Sequence, residues 1–577
     1  MKTSIIILTY NKLEYTVKCV ESIRKYTNKE DYEIIIVDNN SVDGTIDWLQ
    51  EQADIITILN KDNLGFPGGC NAGIKIATGS EILLLNNDTI VTKNWLSNLL
   101  KALYSDEKVG AVSCVTNNCS YGQEIPVDYA SIEEMHRFAK KHNIFDSNLW
   151  DERLKLVGFC MLIKKQVINE LGLLDEMFFP GNFEDDDYSL RIRKAGYKLL
   201  LCKDTFIHHY GSVSFKEELL KYKNLMITNA KKYENKWGFN PLYSQNLRRE
   251  IINFIQEPLD KELNILDIGC ACGGALLEIK NKYKQSNLYG IELNEYAAEV
   301  AALICEVYSI NIENNDLPFN DEFFDYIILA DVLEHLVNPW TIVNKLKRIL
   351  KKDGKLLISV PNVMHVSVMR NLIAKGEWKY EDAGIMDRTH LRFFTYQSIQ
   401  DMLNEQGYSN IVIEGTTINL SEEEELFYQQ LTQICPQHII QQYKIYQYII
   451  SASNDDLNDF LQFVIDNQDN GEKIWKSAMN YSTEDIINLS KRNRFTIEER
   501  VKFLNSLAVI NFEHGMIKNV IPFFEEAREL DEKNSEVLYN LSYFLQYVGE
   551  TELAQEYMLL LKKLDLGLYK QLVEVIC

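Results

Sequence analysis

Three polar residues, Asn86-Asn87-Asp88, follow the apolar run Leu83-Leu84-Leu85. A buried strand ending this way delivers amides and a carboxylate to the rim of an α/β sheet, where ligands sit. A carboxylate there can hold a divalent cation, which prefers hard oxygen ligands; an Asx-turn is the plain structural alternative. Four consecutive acids, Glu184-Asp185-Asp186-Asp187, form a second place of interest. Mutual repulsion raises the proton affinity of whichever is least solvated, as a general base requires. A helix start, where acids favour the macrodipole, would account for the same run. A third is Asp267-Ile268-Gly269-Cys270-Ala271-Cys272-Gly273-Gly274, followed about two dozen residues on by Glu292 at the end of Leu288-Tyr289-Gly290-Ile291. Glycines let a loop pass close to a ligand, a helix start offers unpaired donors, and a strand-end acid suits the two hydroxyls of a ribose.

The elements that position the first two groups follow from pattern. Ser4–Leu8 is a continuous apolar run closing on Thr9-Tyr10-Asn11, and Glu33–Val37 closes on Asp38-Asn39. A helical stretch, Leu13 to Tyr26, lies between them, so the three form a βαβ unit with buried parallel strands. Asn63-Leu64-Gly65-Phe66-Pro67-Gly68-Gly69-Cys70-Asn71 supplies glycines where a backbone can approach a ligand. With the Asn86-Asn87-Asp88 strand, three strand ends converge on one rim.

Ile-Leu-Thr-Tyr-Asn, Val-Asp-Asn-Asn-Ser-Val-Asp-Gly-Thr and Asn-Leu-Gly-Phe-Pro-Gly-Gly-Cys-Asn together resemble family-2 inverting glycosyltransferases of the GT-A fold, in their rhamnosyltransferase-like branch. The resemblance implies a nucleotide-sugar donor, dTDP- or UDP-linked. Thr9, Tyr10, Asn11, Asp38, Asn39, Gly68, Asn71, Asn86 and Asn87 are the expected donor contacts. The family's Asp-x-Asp motif holds Mg²⁺ or Mn²⁺; here it reads Asn86-Asn87-Asp88, which leaves Asp88 as its one carboxylate. The family's Glu-Asp element falls on Glu184-Asp185, with Asp185 as general base. Its closing histidine falls on His209, expected to complete the metal site ahead of Ser214-Phe215. This resemblance covers residues 1–240.

Asp-Ile-Gly-Cys-Ala-Cys-Gly resembles the first motif of class I S-adenosylmethionine-dependent methyltransferases, with Ala271 in place of a common glycine. The dinucleotide order Gly-x-Gly-x-x-Gly is absent. Phe324–Leu336, containing Asp331-Val332-Leu333-Glu334-His335, matches that family's later motifs, whereas the position of its adenine-contacting acid reads Asn311. Asp267, Gly269, Gly273, Glu292 and Asp331 are therefore the expected contacts of S-adenosylmethionine. Trp378–Thr395 resembles a segment of methyltransferases from surface-polysaccharide pathways. Methylation of a sugar hydroxyl must dispose of a proton, and His390, His365 and Asp387 are candidates, each with a structural alternative as a hydrogen-bonded residue.

At 577 residues the chain is too long for one core. The expected class is α/β multidomain: a glycosyltransferase domain at 1–240, a Rossmann-like methyltransferase domain at 241–415, a helical linker or extension at 416–495, and a tetratricopeptide-like repeat at 496–577. The repeat rests on Gly515 and Gly549, 34 residues apart, with Leu507 matching Leu541, Phe524 matching Met558 and Ala527 matching Leu561. It would contact a protein partner or serve as scaffolding. A formal charge of −24 argues against nucleic acid as partner. No apolar run is long enough for a membrane span, and eleven cysteines without metal spacing fit reduced thiols in a cytoplasm. The expected function is a cytoplasmic bifunctional enzyme that adds a sugar to a glycan or glycoprotein acceptor and methylates a sugar hydroxyl, in surface polysaccharide or flagellin decoration. The alternative is an interaction scaffold with one competent module.

Overall fold

A computed structural model describes residues 2–211, 219–244, 247–454, 474–475, 478, 481–492 and 496–576. The chain forms two compact units, Met1–Asn311 and Ile312–Cys577.

The first unit opens with an eight-stranded sheet of β1 (Thr3–Thr9), β2 (Tyr32–Asp38), β3 (Ile55–Leu59), β4 (Glu81–Asn86), β6 (Val109–Val115), β7 (Trp150–Glu152), β8 (Cys160–Lys164) and β9 (Lys198–Phe206). Their order is β3-β2-β1-β4-β8-β6-β9-β7. β1 pairs in parallel with β2 and β4, so Thr9 lies beside Asp38 and Leu8 beside Asn86. Ile5–Ile7, Ile34–Val37 and Ile82–Leu85 are buried, which explains why these runs do not alternate with polar residues: a parallel sheet covered on both faces has no wet side. The short strands β5 (Thr89–Ile90) and β10 (His208–His209) pair antiparallel and set Thr89 opposite His209.

The glycine-bearing stretch at 65–71, read as a place where a backbone can approach a ligand, forms the start of a helix, Gly65–Ile76. Its glycines serve helix–sheet packing: a Cβ at Gly69 would lie 2.2 Å from Leu8 Cδ1, and one at Gly73 2.6 Å from Ile6 Cγ2. Glycine and proline hide a helix from propensity because they disfavour its interior. Close approach of helix to strand overrides that cost here.

The same unit continues with three parallel strands, β11 (Asn264–Ile268), β12 (Asn287–Ile291) and β13 (Glu306–Tyr308), in the order β13-β12-β11. In the second unit β14 (Phe324–Ala330) runs parallel to β15 (Leu350–Pro361), β16 spans Ser409–Thr417, and β17 spans Ile445–Ser453. β17 lies antiparallel between β15 and β16. Residues 416–495 are thus not helical throughout. The aromatic and β-branched composition of Ile445-Tyr446-Gln447-Tyr448-Ile449-Ile450 suits a strand buried in a sheet.

The C-terminal region is helical: Ile497–Glu513, Ile517–Leu530, Ser535–Val548, Thr551–Leu564 and Leu566–Ile576. Thr496 and Glu499 form a capping box at its first helix. Gly515 and Gly549 end the first and third helices at φ +75 and +89, the left-handed conformation that favours glycine after a helix. Leu507, Phe524, Ala527, Leu541 and Leu561 are buried and Met558 half-buried. Among the described residues no helix is long and apolar enough to cross a membrane.

Candidate functional site

At the rim of the first sheet the structure brings together Thr9, Tyr10, Asn11, Asn86, Asn87 and Asp88. Asn87 Nδ2 donates to Thr16 Oγ1 (3.0 Å) and Thr9 Oγ1 (3.4 Å). Asn11 accepts from the Val42 amide (2.8 Å), and Tyr10 is 48% exposed. Asp38 is fully buried and takes the Ser41 amide on both oxygens (2.9 and 3.1 Å), which fixes the turn after β2.

Two of the expected donor contacts have other tasks. Asn39 donates to Asn63 Oδ1 and the Gly65 carbonyl and accepts from Asn60, tying the turn after β2 to the start of the Gly65–Ile76 helix. Asn71 is 1% exposed; it donates to the Leu174 carbonyl and Glu176 and accepts the Leu174 amide. A side-chain amide has four hydrogen-bonding positions, and three of Asn71's are used internally. Gly68 lies within that same helix, where a Cβ would stand 3.0 Å from Leu64 Cβ.

The four acids open the Glu184–Lys194 helix, so the macrodipole alternative and a chemical role coexist. Before it Asn182 and Phe183 hold φ of +71 and +75, strained for the phenylalanine, and Asn229 donates to the Gly181 and Asn182 carbonyls. The fold then sorts the acids. Asp187 accepts from Arg191 Nε (2.9 Å) and Trp237 Nε1 (2.9 Å) and pairs with Lys236. Asp186 forms a buried ion pair with Lys155. Glu184 is buried, and its Oε2 has no hydrogen-bond partner. Asp185 alone is partly exposed. It takes the Gly158 amide on Oδ2 (2.9 Å) and the Asp186 amide on Oδ1 (3.0 Å). Burial first, and the Asp186 charge second, push its carboxyl up to about 7.

Gly158 and Phe159, which sequence patterns did not single out, connect this acid to the metal candidates. The Phe159 carbonyl accepts the Asn86 amide (2.8 Å), and its ring stacks on His209 at 5.1 Å. His209 Nε2 lies 3.2 Å from Asp88 Oδ1 and 3.5 Å from Asn86 Nδ2. Its Nδ1 is 2.8 Å from the Asn118 carbonyl, an acceptor only, so the proton sits on Nδ1 and Nε2 keeps its lone pair when the ring is neutral. Burial disfavours the charged ring, but Asp88 outweighs it and raises the proton affinity of His209. An imidazole and a carboxylate that converge this way fit a divalent cation. Ser214-Phe215 lies outside the described residues. Lys155, beside Asp186, also borders a cavity of about 350 Å³ lined by Tyr121, Arg153 and Arg249.

In the second candidate region Glu292 holds the glycine loop: Oε2 accepts the Ala271 amide (2.8 Å) and Oε1 the Asn294 amide (2.8 Å). Ala271 sits at φ +48, so the loop keeps the backbone of a glycine at that position despite the substitution. Gly269 and Gly273 have φ of +75 and +81, and a Cβ on Gly273 would stand 2.9 Å from Ile304. Asp267 is 3% exposed, its Oδ1 lacks a partner, and burial with the neighbouring Glu292 raises it to about 8. An open-backbone loop, a helix start at Gly274 and a buried unsatisfied carboxyl fit a nucleoside cofactor that supplies the missing donor.

In the second unit Asp331, at φ +55, accepts from Ser359 Oγ (2.8 Å) and from Gln447. His365, expected as a proton acceptor, instead caps the Val366–Lys375 helix through the Ser367 amide and is fully buried. Asp387 accepts from the amide and hydroxyl of Thr389 (2.8 and 2.6 Å). His390 is 6% exposed, with Nδ1 2.9 Å from the Ile385 carbonyl and its ring edge-on to His335.

Comparison with known proteins agrees with this order of parts. Residues 4–172 match the glycosyl transferase family 2, and residues 243–412 match a methyltransferase domain. The uncharacterized glycosyltransferase YfnE of Bacillus subtilis is 23% identical over 317 residues, which cover 45% of this chain and 80% of that protein. An uncharacterized glycosyltransferase of Rickettsia bellii is 25% identical over 202 residues, covering 34% of this chain and 27% of that protein. A solved methyltransferase, described as SAM dependent, from Archaeoglobus fulgidus is 17% identical, covers 39% of this chain and 98% of its own, and superposes with a TM-score of 0.28. The chain is a glycosyltransferase and methyltransferase: a GT-A-like domain, then a Rossmann-like methyltransferase domain, then a helical C-terminal region.

Proposed function

We propose that the first domain transfers a sugar from a nucleotide-sugar donor to a glycan or glycoprotein with inversion, and that the second methylates a hydroxyl of the product with S-adenosylmethionine. Thr9, Tyr10, Asn11 and Asp38 would shape the nucleotide site, with Asn86 and Asn87 at the diphosphate end. Asp88 and His209 would hold Mg²⁺ or Mn²⁺, which neutralises the departing diphosphate. Asp185 would take the acceptor hydroxyl's proton as that oxygen attacks the anomeric carbon from the face opposite the leaving group. Asp267, Gly269, Gly273 and Glu292 would hold S-adenosylmethionine, which supplies an electrophilic methyl group. A dTDP- or UDP-linked donor, rhamnose as the sugar, surface-polysaccharide or flagellin glycans as the pathway, a cytoplasmic setting and a tetratricopeptide-like docking role for the C-terminal helices extend the same reading. Boundaries near residues 240 and 495 would part its modules; one at 415 is ruled out, because it would divide the Ser409–Thr417 strand and detach Ile445–Ser453 from the sheet it pairs in.

The observation that carries the sugar-transfer reading is the sorting of the four acids. Asp186 and Asp187 are neutralised by cations, while Asp185 is partly exposed and raised to about 7. A base poised near the working pH is what proton abstraction needs. Transfer assayed against pH tests it directly. Wild-type rate should rise through about 7 as Asp185 ionises, and a profile flat from acid to alkali would sink the assignment.

A further inference from the structure

Glu334, His335 and His390 form a cluster that neither the donor site nor the cofactor loop uses. Their ligand-capable atoms all lie within 4.8 Å of one another. Glu334 and His335 belong to the 3-10 turn Leu333–His335 just past the carboxyl end of β14, the side of an α/β sheet on which ligands bind. His390 comes from a separate turn, closed by its own amide on the Asp387 carbonyl (3.0 Å). The two segments are tied together: the amides of Leu391 and Arg392 both donate to the Glu334 carbonyl (2.7 and 3.0 Å).

Second contacts orient both rings. His335 Nδ1 faces the Thr389 carbonyl at 3.3 Å, and His390 Nδ1 faces the Ile385 carbonyl at 2.9 Å. A carbonyl only accepts, so each Nδ1 carries the proton and each Nε2 keeps a lone pair, the arrangement of metal-binding histidines. The ring centroids are 4.8 Å apart and edge-on, and Glu334 is 1% exposed.

We propose that Glu334, His335 and His390 hold a divalent transition-metal ion whose remaining positions take the hydroxyl oxygen of the methyl acceptor. Two imidazoles and one carboxylate suit Zn²⁺, Mn²⁺ or Co²⁺ better than Mg²⁺ or Ca²⁺, which favour all-oxygen shells. Three protein ligands leave positions open for a substrate. The role in methylation rests on the methyltransferase reading above. A metal-bound hydroxyl loses its proton to water more readily. Its oxygen then attacks the methyl carbon of S-adenosylmethionine, the C–O bond forms, the C–S bond breaks, and S-adenosylhomocysteine leaves.

The test uses the full chain carrying Asp88→Ala, which removes the other candidate cation site, stripped with chelator and titrated with Co²⁺. One Co²⁺ should bind with visible bands typical of nitrogen ligation. Adding His335→Ala and His390→Ala should weaken binding by a factor on the order of a hundred or more. Glu334→Gln, which keeps the side chain's shape, should weaken it in a chain whose circular dichroism is unchanged. Catechol, a bidentate oxygen probe, should shift the bands. Failure to bind Co²⁺, or equal binding by the double-histidine variant, overturns the site; bands indifferent to catechol overturn its role toward a hydroxyl. Co²⁺ binding in a chain that calorimetry shows not to bind S-adenosylmethionine would leave the metal site standing and remove the methyltransferase reading.

Discussion

Asp185 and Asp267 are both carboxyls raised by burial beside a second acid, one to about 7 and the other to about 8, yet the two regions use that arrangement differently. In the sugar-transfer domain the raised carboxyl itself takes two backbone amides, from Gly158 and Asp186, and stays partly exposed. In the cofactor region the amides of Ala271 and Asn294 go to Glu292, and Asp267 is left 3% exposed with an unpartnered oxygen. The first geometry leaves the raised carboxyl partly open to solvent, as the proposed base requires. The second divides the work, with Glu292 fixing the loop and Asp267 waiting for a donor. Two acids near a glycine-bearing turn are therefore not one motif: what differs is whether the raised carboxyl is itself held by amides and partly exposed, as Asp185 is, or buried beside an acid that takes them, as Asp267 is.

Replacing Asp185 should break the comparison on the side of chemistry. Asp185→Asn keeps shape but cannot accept a proton, so sugar transfer should fall by a factor on the order of a hundred or more with donor binding retained. Kinetics on the variant beside Asp186→Asn check it; an active Asp185→Asn and a dead Asp186→Asn would shift the role to the Lys155-paired acid.

Glu292→Ala should act on binding instead. Two amides lose their acceptor at about 1 kcal/mol or more each, so S-adenosylmethionine affinity should drop by roughly tenfold to a hundredfold. Calorimetry measures the drop. Sugar transfer, assayed in parallel, should be unchanged, and its loss in a folded variant would show that the regions are coupled.

Smaller effects sharpen the contrast between the two glycine-rich stretches. Gly69→Ala forces a Cβ against Leu8 and should cost about 1–3 kcal/mol of stability. Its effect on donor affinity at a temperature where it is folded should be slight. Gly273→Ala should lower affinity for S-adenosylmethionine as well as stability, because its φ of +81 shapes the loop itself. Chemical denaturation paired with ligand titration separates the two.

A change of another kind is expected in pH dependence. Asp267 has a folded value of about 8, above its unfolded one near 3.9, so the folded state binds more protons between them. Stability therefore falls as pH rises through that window. Asp267→Asn should remove this slope and melt higher than wild type at pH above about 8, with the gap closing toward pH 4 in calorimetric scans. An identical slope in both proteins would mean that Asp267 is ionised throughout.

The order of parts was legible in the chain because it rests on local pattern. Uninterrupted apolar runs such as Ile5–Ile7 and Leu83–Leu85 can only be buried strands, and a polar residue at the end of such a run must reach the sheet's rim. Asp88, Glu292 and the Asp267–Gly274 loop were singled out this way. The family resemblances added Asp185 and His209. Pattern was also incomplete: the glycines of Gly65–Gly69, read as open backbone for a ligand, lie in a helix, and Ile445–Ser453 lay in a stretch expected to be helical.

What only the tertiary structure decided is which of several equivalent residues does what. Four adjacent acids are indistinguishable in sequence; Lys155 pairs with Asp186, Arg191 and Lys236 pair with Asp187, and of the remaining two Glu184 is buried while Asp185 is partly exposed. Asn39 and Asn71 read as donor contacts until their amides are found engaged by Gly65 and Leu174. His365 and His390 read alike until one caps a helix and the other faces His335. For Asn39, Asn71, Asp186 and His390 the deciding partner lies tens of residues away, and hydrogen bonds and ion pairs form through space, where sequence distance carries no information.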